Sequence, residues 1–370
     1  MRPNELTAYL NDGVFRLISS VLKESAADRE EKRFLLRQLR IQKRRARIRR
    51  RYERTGLHVP VFLIASITER CNLHCKGCYA RGCGFCSDAP KDTPLTAKDW
   101  GRIFSEAEEL GISFVILAGG EPLLNREVIS TAAKEKNLIF PVFTNGTLFD
   151  TDMAELFVRS RNLFPVFSIE GGRSATDERL GAGVFEKASS AAEYFHANGA
   201  LFGAAITVSK ENIREVTSDA FFEGLARAGT AAAFFIEYTA SGEKDQGLEP
   251  DAEDRLYLAE RLSYARGRFR SLWVLSFPGD EEFMGGCLAA GIGFFHINPF
   301  GAAEPCPFSP FSDRSLKTCS LKEALESPFF SRISASELTA VSHDGGCALS
   351  KRKEETMSLL EGEGAEQLKG

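Results

Sequence analysis

Three cysteines lie close together in the sequence at a spacing that suits a metal cluster. Cys71, Cys75 and Cys78 follow the pattern C-x3-C-x2-C, directly after an apolar stretch at residues 59–67. Three thiolates can hold three irons of a four-iron cluster and leave the fourth iron without a protein ligand. Structural metal sites close their coordination, whereas catalytic sites keep a position open. The triplet alone therefore indicates an enzyme.

A second motif follows the next predicted strand. Gly119 and Gly120 would let the backbone approach a ligand closely, and Glu121 offers a carboxylate to an ammonium group. A single Gly-Gly-Glu is a weak signal. Because both motifs follow neighbouring strands, and sites in parallel-sheet folds gather at the carboxyl ends of the strands, we expect them to meet at one edge.

The elements that would position these residues alternate between strands and helices from residue 61 onward. Apolar runs of strand length lie at residues 61–68, 113–118, 139–144, 164–169, 201–208 and 232–238. Between them, helical patterns include residues 96–110 and 184–198, each of which stops at a glycine. The order predicts an α/β fold, a partial (β/α)6 barrel with an open side.

The chain divides into four predicted regions. They are a basic helical extension at 1–57, the partial barrel at 58–270, a small α+β cluster domain at 271–350 and a tail at 351–370. Within the third region we predict strands at 272–276 and 293–297 and a helix at 321–330. A length of 370 residues is compatible with one or two substantial cores.

The amino-terminal extension carries most of the positive charge. Residues 1–54 contain 16 Lys and Arg against 7 Asp and Glu, whereas the remainder contains 31 against 44. Helices are predicted at 4–24 and 28–53. The second could bind an anionic membrane, where each basic side chain adds about 1 kcal/mol, or pack as a solvated helix on the acidic body. Nucleic acid is less favoured, because aromatic residues for base stacking are sparse here.

Composition also bears on location. No apolar run reaches the length of a membrane span, and the first residues do not open a signal peptide. Nine cysteines in such a chain suggest metal ligands or reactive thiols in a reducing compartment. The expected location is the cytoplasm, with peripheral attachment to the inner face of the membrane left open.

Residues 60–240 or so resemble the radical SAM superfamily, through the cysteine triplet, Gly119-Gly120-Glu121 and Thr144-Asn145-Gly146. The resemblance implies that the triplet binds a [4Fe–4S] cluster whose fourth iron is chelated by S-adenosylmethionine. A reductant such as flavodoxin or ferredoxin would drive its cleavage to a 5′-deoxyadenosyl radical. That radical would abstract hydrogen from an unidentified substrate, either a peptide or protein side chain or a membrane lipid.

The same resemblance implies roles for individual residues. Gly119, Gly120 and Glu121 would face the methionine amino group, and Ser168 and Glu170 would meet the ribose or the carboxylate. The residue before the third cysteine, usually an aromatic that contacts adenine, is Gly77 in this chain, so Tyr79 is the candidate for that surface. No residue is assigned to catalysis.

Four cysteines in the carboxyl-terminal region resemble a SPASM or twitch auxiliary-cluster domain. The implied metal ligands are Cys287, Cys306, Cys319 and Cys347 of a second [4Fe–4S] cluster. Four thiols would close the cluster and suit electron transfer, whereas three would leave one iron open. Cys319 falls where members of that family need no cysteine.

Other interpretations stay open. Cys83 and Cys86 form a C-x2-C pair that suits half of a metal site, or they are free thiols. The triplet could be a zinc site or structural thiols. The whole protein could be a non-catalytic iron–sulfur relay or sensor, or an RNA-modifying radical SAM enzyme docked by the basic arm.

Overall fold

The computed structural model describes residues 29–89, 92–240, 247–339 and 347–360. The helix predicted at 4–24 lies outside these residues. The predicted helix at 28–53 is confirmed as α1, Arg29–Glu53.

One sheet organises the described part of the chain, with the strand order β7-β6-β5-β4-β3-β2-β1-β8-β9. Strands β1 to β8 run parallel, and only the β8–β9 pair is antiparallel. The strands are β1 Phe62–Ser66, β2 Phe114–Ala118, β3 Phe140–Thr144, β4 Leu163–Ser168, β5 Gly203–Val208, β6 Ala232–Glu237, β7 Trp273–Phe277, β8 His296–Ile297 and β9 Ala303–Glu304. The six predicted strands are therefore confirmed, and with them the partial α/β barrel.

Most of the remaining helices connect parallel strands, as crossover connections require, and the last four follow β9. In chain order they are α2 Tyr79–Gly82, α3 Ala97–Leu110, α4 Arg126–Lys134, α5 Thr151–Arg159, α6 Arg173–Leu180, α7 Val184–Ala197, α8 Ile213–Val216, α9 Asp219–Arg227, α10 Ala252–Arg268, α11 Leu321–Leu325, α12 Pro328–Ala335, α13 Ala348–Lys351 and α14 Lys353–Leu360. Two 3₁₀ segments lie at Pro122–Leu124 and Gly279–Met284.

Helix α3 illustrates how sequence sets the bounds. Thr96 and Asp99 form a capping box at its start, and Gly111 ends it in the left-handed conformation at φ 86°. Its apolar stripe, including Trp100, Ile103 and Phe104, is fully buried against the sheet. The predicted helix at 96–110 is confirmed.

The carboxyl-terminal region is joined to the barrel more closely than the sequence predicts. The strand expected at 272–276 is β7, which pairs in parallel with β6 and extends the barrel sheet. The segment expected at 293–297 supplies β8, which pairs with β1 on the opposite edge. Both segments are apolar on the buried face. By pairing with β6 and β1, they cover the two strand edges that the six-stranded barrel sheet would otherwise expose.

Two helical expectations are also corrected. The single helix expected at 321–330 is two helices, because Ser327 caps a new helix and Pro328, which has no amide N–H, occupies its first turn. The tail expected from 351 contains α14, whose backbone carbonyl at Leu359 accepts a hydrogen bond from Arg332 Nε at 2.6 Å.

Helix α1 packs on the barrel through a polar stripe. Arg45 and Arg49 are buried and donate to the carbonyls of Ile112 and Gly111, just after the end of α3. Burial lowers the pKa of both arginines to about 10. These two arginines therefore pack against the barrel and do not contribute to an exposed basic surface. No helix among the described residues is both long and apolar enough to span a membrane.

Candidate functional site

A cavity of about 290 Å³ lies at the carboxyl ends of the barrel strands and receives both cysteine sets. The predicted residues on its wall are Cys71, Cys75, Cys78, Tyr79, Gly119, Gly120, Glu121, Ser168, Glu170, Cys287, Cys306 and Cys347. Of the site residues predicted from the sequence, Cys319 is the one that lies elsewhere. The tertiary structure thus brings together segments more than 200 residues apart in the chain.

The cysteine loop is held from two sides. Asn72 donates from its amide to Thr147 Oγ1 at 2.8 Å and accepts from Asn145 Nδ2 at 3.0 Å, which ties the loop to the end of β3. On the other side the Lys76 amide donates to the Arg179 carbonyl at 2.9 Å. The loop between Cys71 and Cys78 is therefore positioned by the end of β3 on one side and by helix α6 on the other.

Gly119 and Gly120 serve the loop as well as the cavity. A Cβ at Gly120 would stand 2.1 Å from the Arg70 carbonyl oxygen, and one at Gly119 would stand 2.4 Å from the Thr68 carbonyl oxygen. The same backbone pairs through Gly120 N to Thr68 O at 2.9 Å and Glu121 N to Arg70 O at 2.8 Å. Glycine is needed here because the two backbones touch.

Glu121 lies on the cavity wall with its carboxylate already bonded to protein. It accepts from Thr144 Oγ1 at 2.7 Å, from the Asn145 amide at 2.9 Å and from the Leu123 amide at 3.0 Å. Burial raises the pKa of Glu121 to about 7 despite these donors. A carboxylate has about four acceptor positions, so capacity for one more donor is left.

Glu170 is buried and forms an ion pair with Arg179, a residue that sequence reasoning missed. Its other carboxylate oxygen accepts from the Thr207 amide at 2.7 Å. Burial raises the pKa of Glu170, and the Arg179 charge opposes that rise. Arg179 also lines the cavity beside Cys75, where its cation suits an anionic group of a ligand. Ser168, at the end of β4, is half-buried on the same wall.

The position before the third cysteine is a glycine, Gly77, because Tyr238 packs against it. A Cβ on Gly77 would stand 2.2 Å from the Tyr238 hydroxyl, so the tyrosine occupies the space that a side chain before the third cysteine would need. Tyr79 is half-buried on the cavity wall, with its ring 5.3 Å from that of Phe308 and 5.8 Å from that of Phe85. Its role at adenine stays a prediction.

The second cysteine set converges from separate segments. Cys306 and Cys347 are joined by a thiol hydrogen bond, which raises the pKa of Cys306 and lowers that of Cys347. Cys287 interacts with Cys347, and burial raises its pKa well above the ordinary value. Cys319 instead lies beside Glu323, Arg314 and Arg102. The structure therefore does not bring Cys319 to the others, because α11 begins just after it and packs on α3.

The thiols of Cys71, Cys75 and Cys78 are compatible with a four-iron cluster in which one iron has no protein ligand. Burial raises the pKa of Cys71, and that of Cys75 to about 12, so metal binding must displace their protons. No His, Cys, Asp and Glu group among the described residues is arranged to hold a single metal ion. In a four-iron cluster each thiolate binds a different iron, so its ligands need not converge on one atom.

Comparison with known proteins identifies one domain. Residues 65–222, less than half of the chain, match the model of the radical SAM superfamily. The chain therefore contains a radical SAM domain. Relatives that carry this domain are enzymes, and the domain implies a [4Fe–4S] cluster and S-adenosylmethionine.

Relatives share this domain over different lengths. The AdoMet-dependent heme synthase of Methanosarcina barkeri is 25% identical over 73% of this chain and 83% of that protein. The PqqA peptide cyclase of Granulibacter bethesdensis is 25% identical over 67% of each. For a further curated relative, the match covers only 38% of that protein.

Solved structures share the fold. SuiB of Streptococcus suis, bound to its precursor peptide SuiA, superposes with a TM-score of 0.62 at 17% identity. The superposition covers 84% of this chain and 73% of SuiB. At this identity the likeness concerns the architecture alone.

Proposed function

We propose that this radical SAM enzyme abstracts hydrogen from a substrate held in the cavity between two iron–sulfur sites. When bound, the first cluster and S-adenosylmethionine supply the 5′-deoxyadenosyl radical. Cys71, Cys75 and Cys78 would hold that cluster, and Cys287, Cys306 and Cys347 would hold a second, of SPASM or twitch type. The observation that carries the proposal is that both thiol sets line one cavity.

The remaining wall residues bind and orient. Arg179, neutralised in part by Glu170, presents a cation to the carboxylate of S-adenosylmethionine, and Glu121 presents acceptor capacity to its ammonium group. Apolar side chains, among them Phe143 and Phe308, limit water around a reactive radical.

The geometry favours a substrate with an apolar chain, such as a membrane lipid. A second cavity of about 120 Å³ lies inside the barrel below the first and is lined almost wholly by apolar side chains. The two cavities share Phe62, Ile116, Phe234 and Phe277. Barrel interiors are ordinarily filled by side chains, so this space suits an apolar group.

A peptide substrate is the second candidate, favoured by the relatives that modify or cyclise peptides. The experiment offers the reconstituted enzyme a deuterated lipid pool and a deuterated peptide pool in separate reactions. Deuterium recovered in 5′-deoxyadenosine from the lipid pool supports the apolar-chain assignment, and deuterium from the peptide pool contradicts it.

The cluster assignment has its own test. Anaerobic reconstitution should give about eight irons per chain, and alanine at all three cysteines of either set should leave about four. The variant lacking Cys71, Cys75 and Cys78 should not cleave S-adenosylmethionine, whereas the variant lacking Cys287, Cys306 and Cys347 should. A wild-type content of only about four irons would remove the second cluster.

Helix α1 offers a surface for an anionic membrane. Its outer face exposes Lys43, Arg44, Arg47 and Arg51, while its inner face packs on the barrel. Replacing these four residues by Gln should weaken binding to phosphatidylserine vesicles by several kcal/mol, at about 1 kcal/mol per cation. Binding to neutral vesicles and S-adenosylmethionine cleavage should not change. Equal binding of wild type and variant to anionic vesicles would contradict a membrane role, and tight salt-dependent RNA binding would favour RNA instead.

A further inference from the structure

The second cysteine set lacks one ligand for a closed four-iron cluster. Cys287, Cys306 and Cys347 converge on the cavity, but Cys319 does not join them. The chain has nine cysteines, and the first cluster accounts for three more. Cys83 and Cys86 are the two thiols that neither assignment has used.

The loop that carries these two thiols rests on the carboxyl-terminal hairpin. It follows Cys78 directly through the short helix α2, and the Cys83 amide donates to the Tyr79 carbonyl at 2.7 Å. The Tyr79 ring packs 5.3 Å from Phe308, close in sequence to Cys306. The Phe85 ring packs 5.2 Å from the ring of His296 in β8.

That hairpin is itself tied to the barrel by a buried hydrogen-bond chain. His296 contacts Ser66 Oγ through Nε2 at 2.8 Å and Glu304 Oε2 through Nδ1 at 2.6 Å. Ser66 belongs to β1, directly before the cysteine loop. The carboxyl-terminal hairpin is therefore held to the barrel at two places, through β1 before the cysteine loop and through Tyr79 and Phe85 after it.

Within this loop the two thiols have different neighbours. Cys83 interacts electrostatically with Glu304, Cys347 and Lys353, and also with Cys78. Cys86 interacts with Arg81, Cys71 and Cys78. Burial raises the pKa of both thiols to about 12. Cys83 thus lies between the two cysteine sets, with Cys347 of the second set among its neighbours, whereas the thiol neighbours of Cys86 belong to the first set.

We propose that Cys83 is the fourth ligand of the second cluster, a deduction that rests on the proposed function. Its thiol loses a proton to solvent and its sulfur binds the iron that Cys287, Cys306 and Cys347 leave vacant, with no change in oxidation state. The second cluster is then closed and suited to electron transfer. One loop would hold Cys78 at the first cluster and Cys83 at the second, with the half-buried Tyr79 between them.

Glu281 is the competing ligand, because it lines the cavity and interacts with both Cys287 and Cys347. Thiolate is the usual protein ligand of iron–sulfur clusters, which favours Cys83. A carboxylate ligand would leave Cys83 without a role and is therefore an outcome of the test.

The test isolates the second cluster in a variant with Cys71, Cys75 and Cys78 all replaced by Ala. This background is reconstituted with ⁵⁷Fe and examined by iron analysis, Mössbauer spectroscopy and electron paramagnetic resonance. Added to it, Cys83→Ala should either lower the iron content to a three-iron cluster or expose an iron whose spectrum shifts on adding cyanide. Cys83→Ser should retain four irons with an altered spectrum, and Cys86→Ala and Cys319→Ala should match the background.

The outcomes separate this proposal from the proposed function. A background variant without iron, although folded by circular dichroism, overturns the second cluster itself. A background with a four-iron cluster that Cys83→Ala leaves unchanged, with no response to cyanide, overturns the role of Cys83 alone. If Glu281→Gln gives the open-iron spectrum instead, the ligand is the carboxylate and the proposal is wrong.

Discussion

The two cysteine sets line one cavity but are built in opposite ways. The first is a single loop of eight residues, Cys71 to Cys78, after one strand. The second gathers Cys287, Cys306 and Cys347 from three segments spread over 61 residues of sequence. A motif within one loop can be predicted from the spacing of its residues. A set of ligands from distant segments cannot, because it depends on which segments the sheet brings together. This difference explains why spacing alone predicts the first set, whereas of the four cysteines predicted for the second set three line the cavity and Cys319 lies elsewhere.

The sets also differ in their surroundings. The first has charged neighbours, since Arg179, Glu170 and Glu121 stand around the loop. The second is bordered mainly by apolar residues and the carboxylate of Glu281. Charged groups suit the binding of a polar cofactor, and a buried, thiol-rich site suits electron transfer. Four predictions test this division.

The largest effect is expected from Cys75→Ala. Without this thiol the first cluster loses a ligand, so cleavage of S-adenosylmethionine should fall to background in an assay for 5′-deoxyadenosine. The iron of the second set should be retained, as measured by analysis of reconstituted protein. Cys319→Ala is the matched control, and persistent cleavage in Cys75→Ala would contradict the ligand assignment.

Cys347→Ala should have the converse effect. This variant removes one thiol of the second set and the hydrogen bond to Cys306, so the second cluster should be lost or converted. Cleavage of S-adenosylmethionine should continue, because the first loop is untouched. If cleavage and iron at both sites fell together, the two sets would not be separable as proposed.

Arg179→Gln should affect the first region only. It leaves the buried Glu170 without its cation, which costs about 3 kcal/mol when one partner of a buried pair is removed. Thermal unfolding of the apo-protein should register the loss, and the apparent KM for S-adenosylmethionine should rise. Arg173→Gln, which removes an exposed pair with Glu186, is the control. An unchanged KM would remove Arg179 from cofactor binding.

Glu121→Gln should give the smallest effect, visible in the pH dependence of stability. Because the folded pKa of about 7 lies above the ordinary value of 4.5, the folded state holds its proton longer than the unfolded state. Wild-type stability should therefore be lost as pH rises from 4.5 through 7, by at most about 3 kcal/mol. The variant should show a flatter profile in denaturant titrations. Parallel profiles would show that Glu121 does not carry the raised pKa.

Much of the fold follows from local pattern. The six apolar strands and the capped helix α3 were predicted because each is set by nearby residues. The break between the two helices at Ser327 and Pro328 could have been predicted, because proline restricts the conformation of the residue before it. The continuous apolar spacing across residues 321–330 favoured a single helix instead. The attachment of β7 and β8 to opposite edges of the barrel sheet was not legible, because strand pairing is non-local.

The candidate site divides in the same way. Spacing in the chain predicts the ligands of the first cluster, and the Gly-Gly-Glu motif predicts a position at the same edge of the sheet. Only the tertiary structure placed Arg179 beside Cys75, Tyr238 over Gly77 and Cys83 near Cys347. The physical reason is that a short motif encodes its own geometry, whereas contacts between distant segments depend on the packing of the whole sheet.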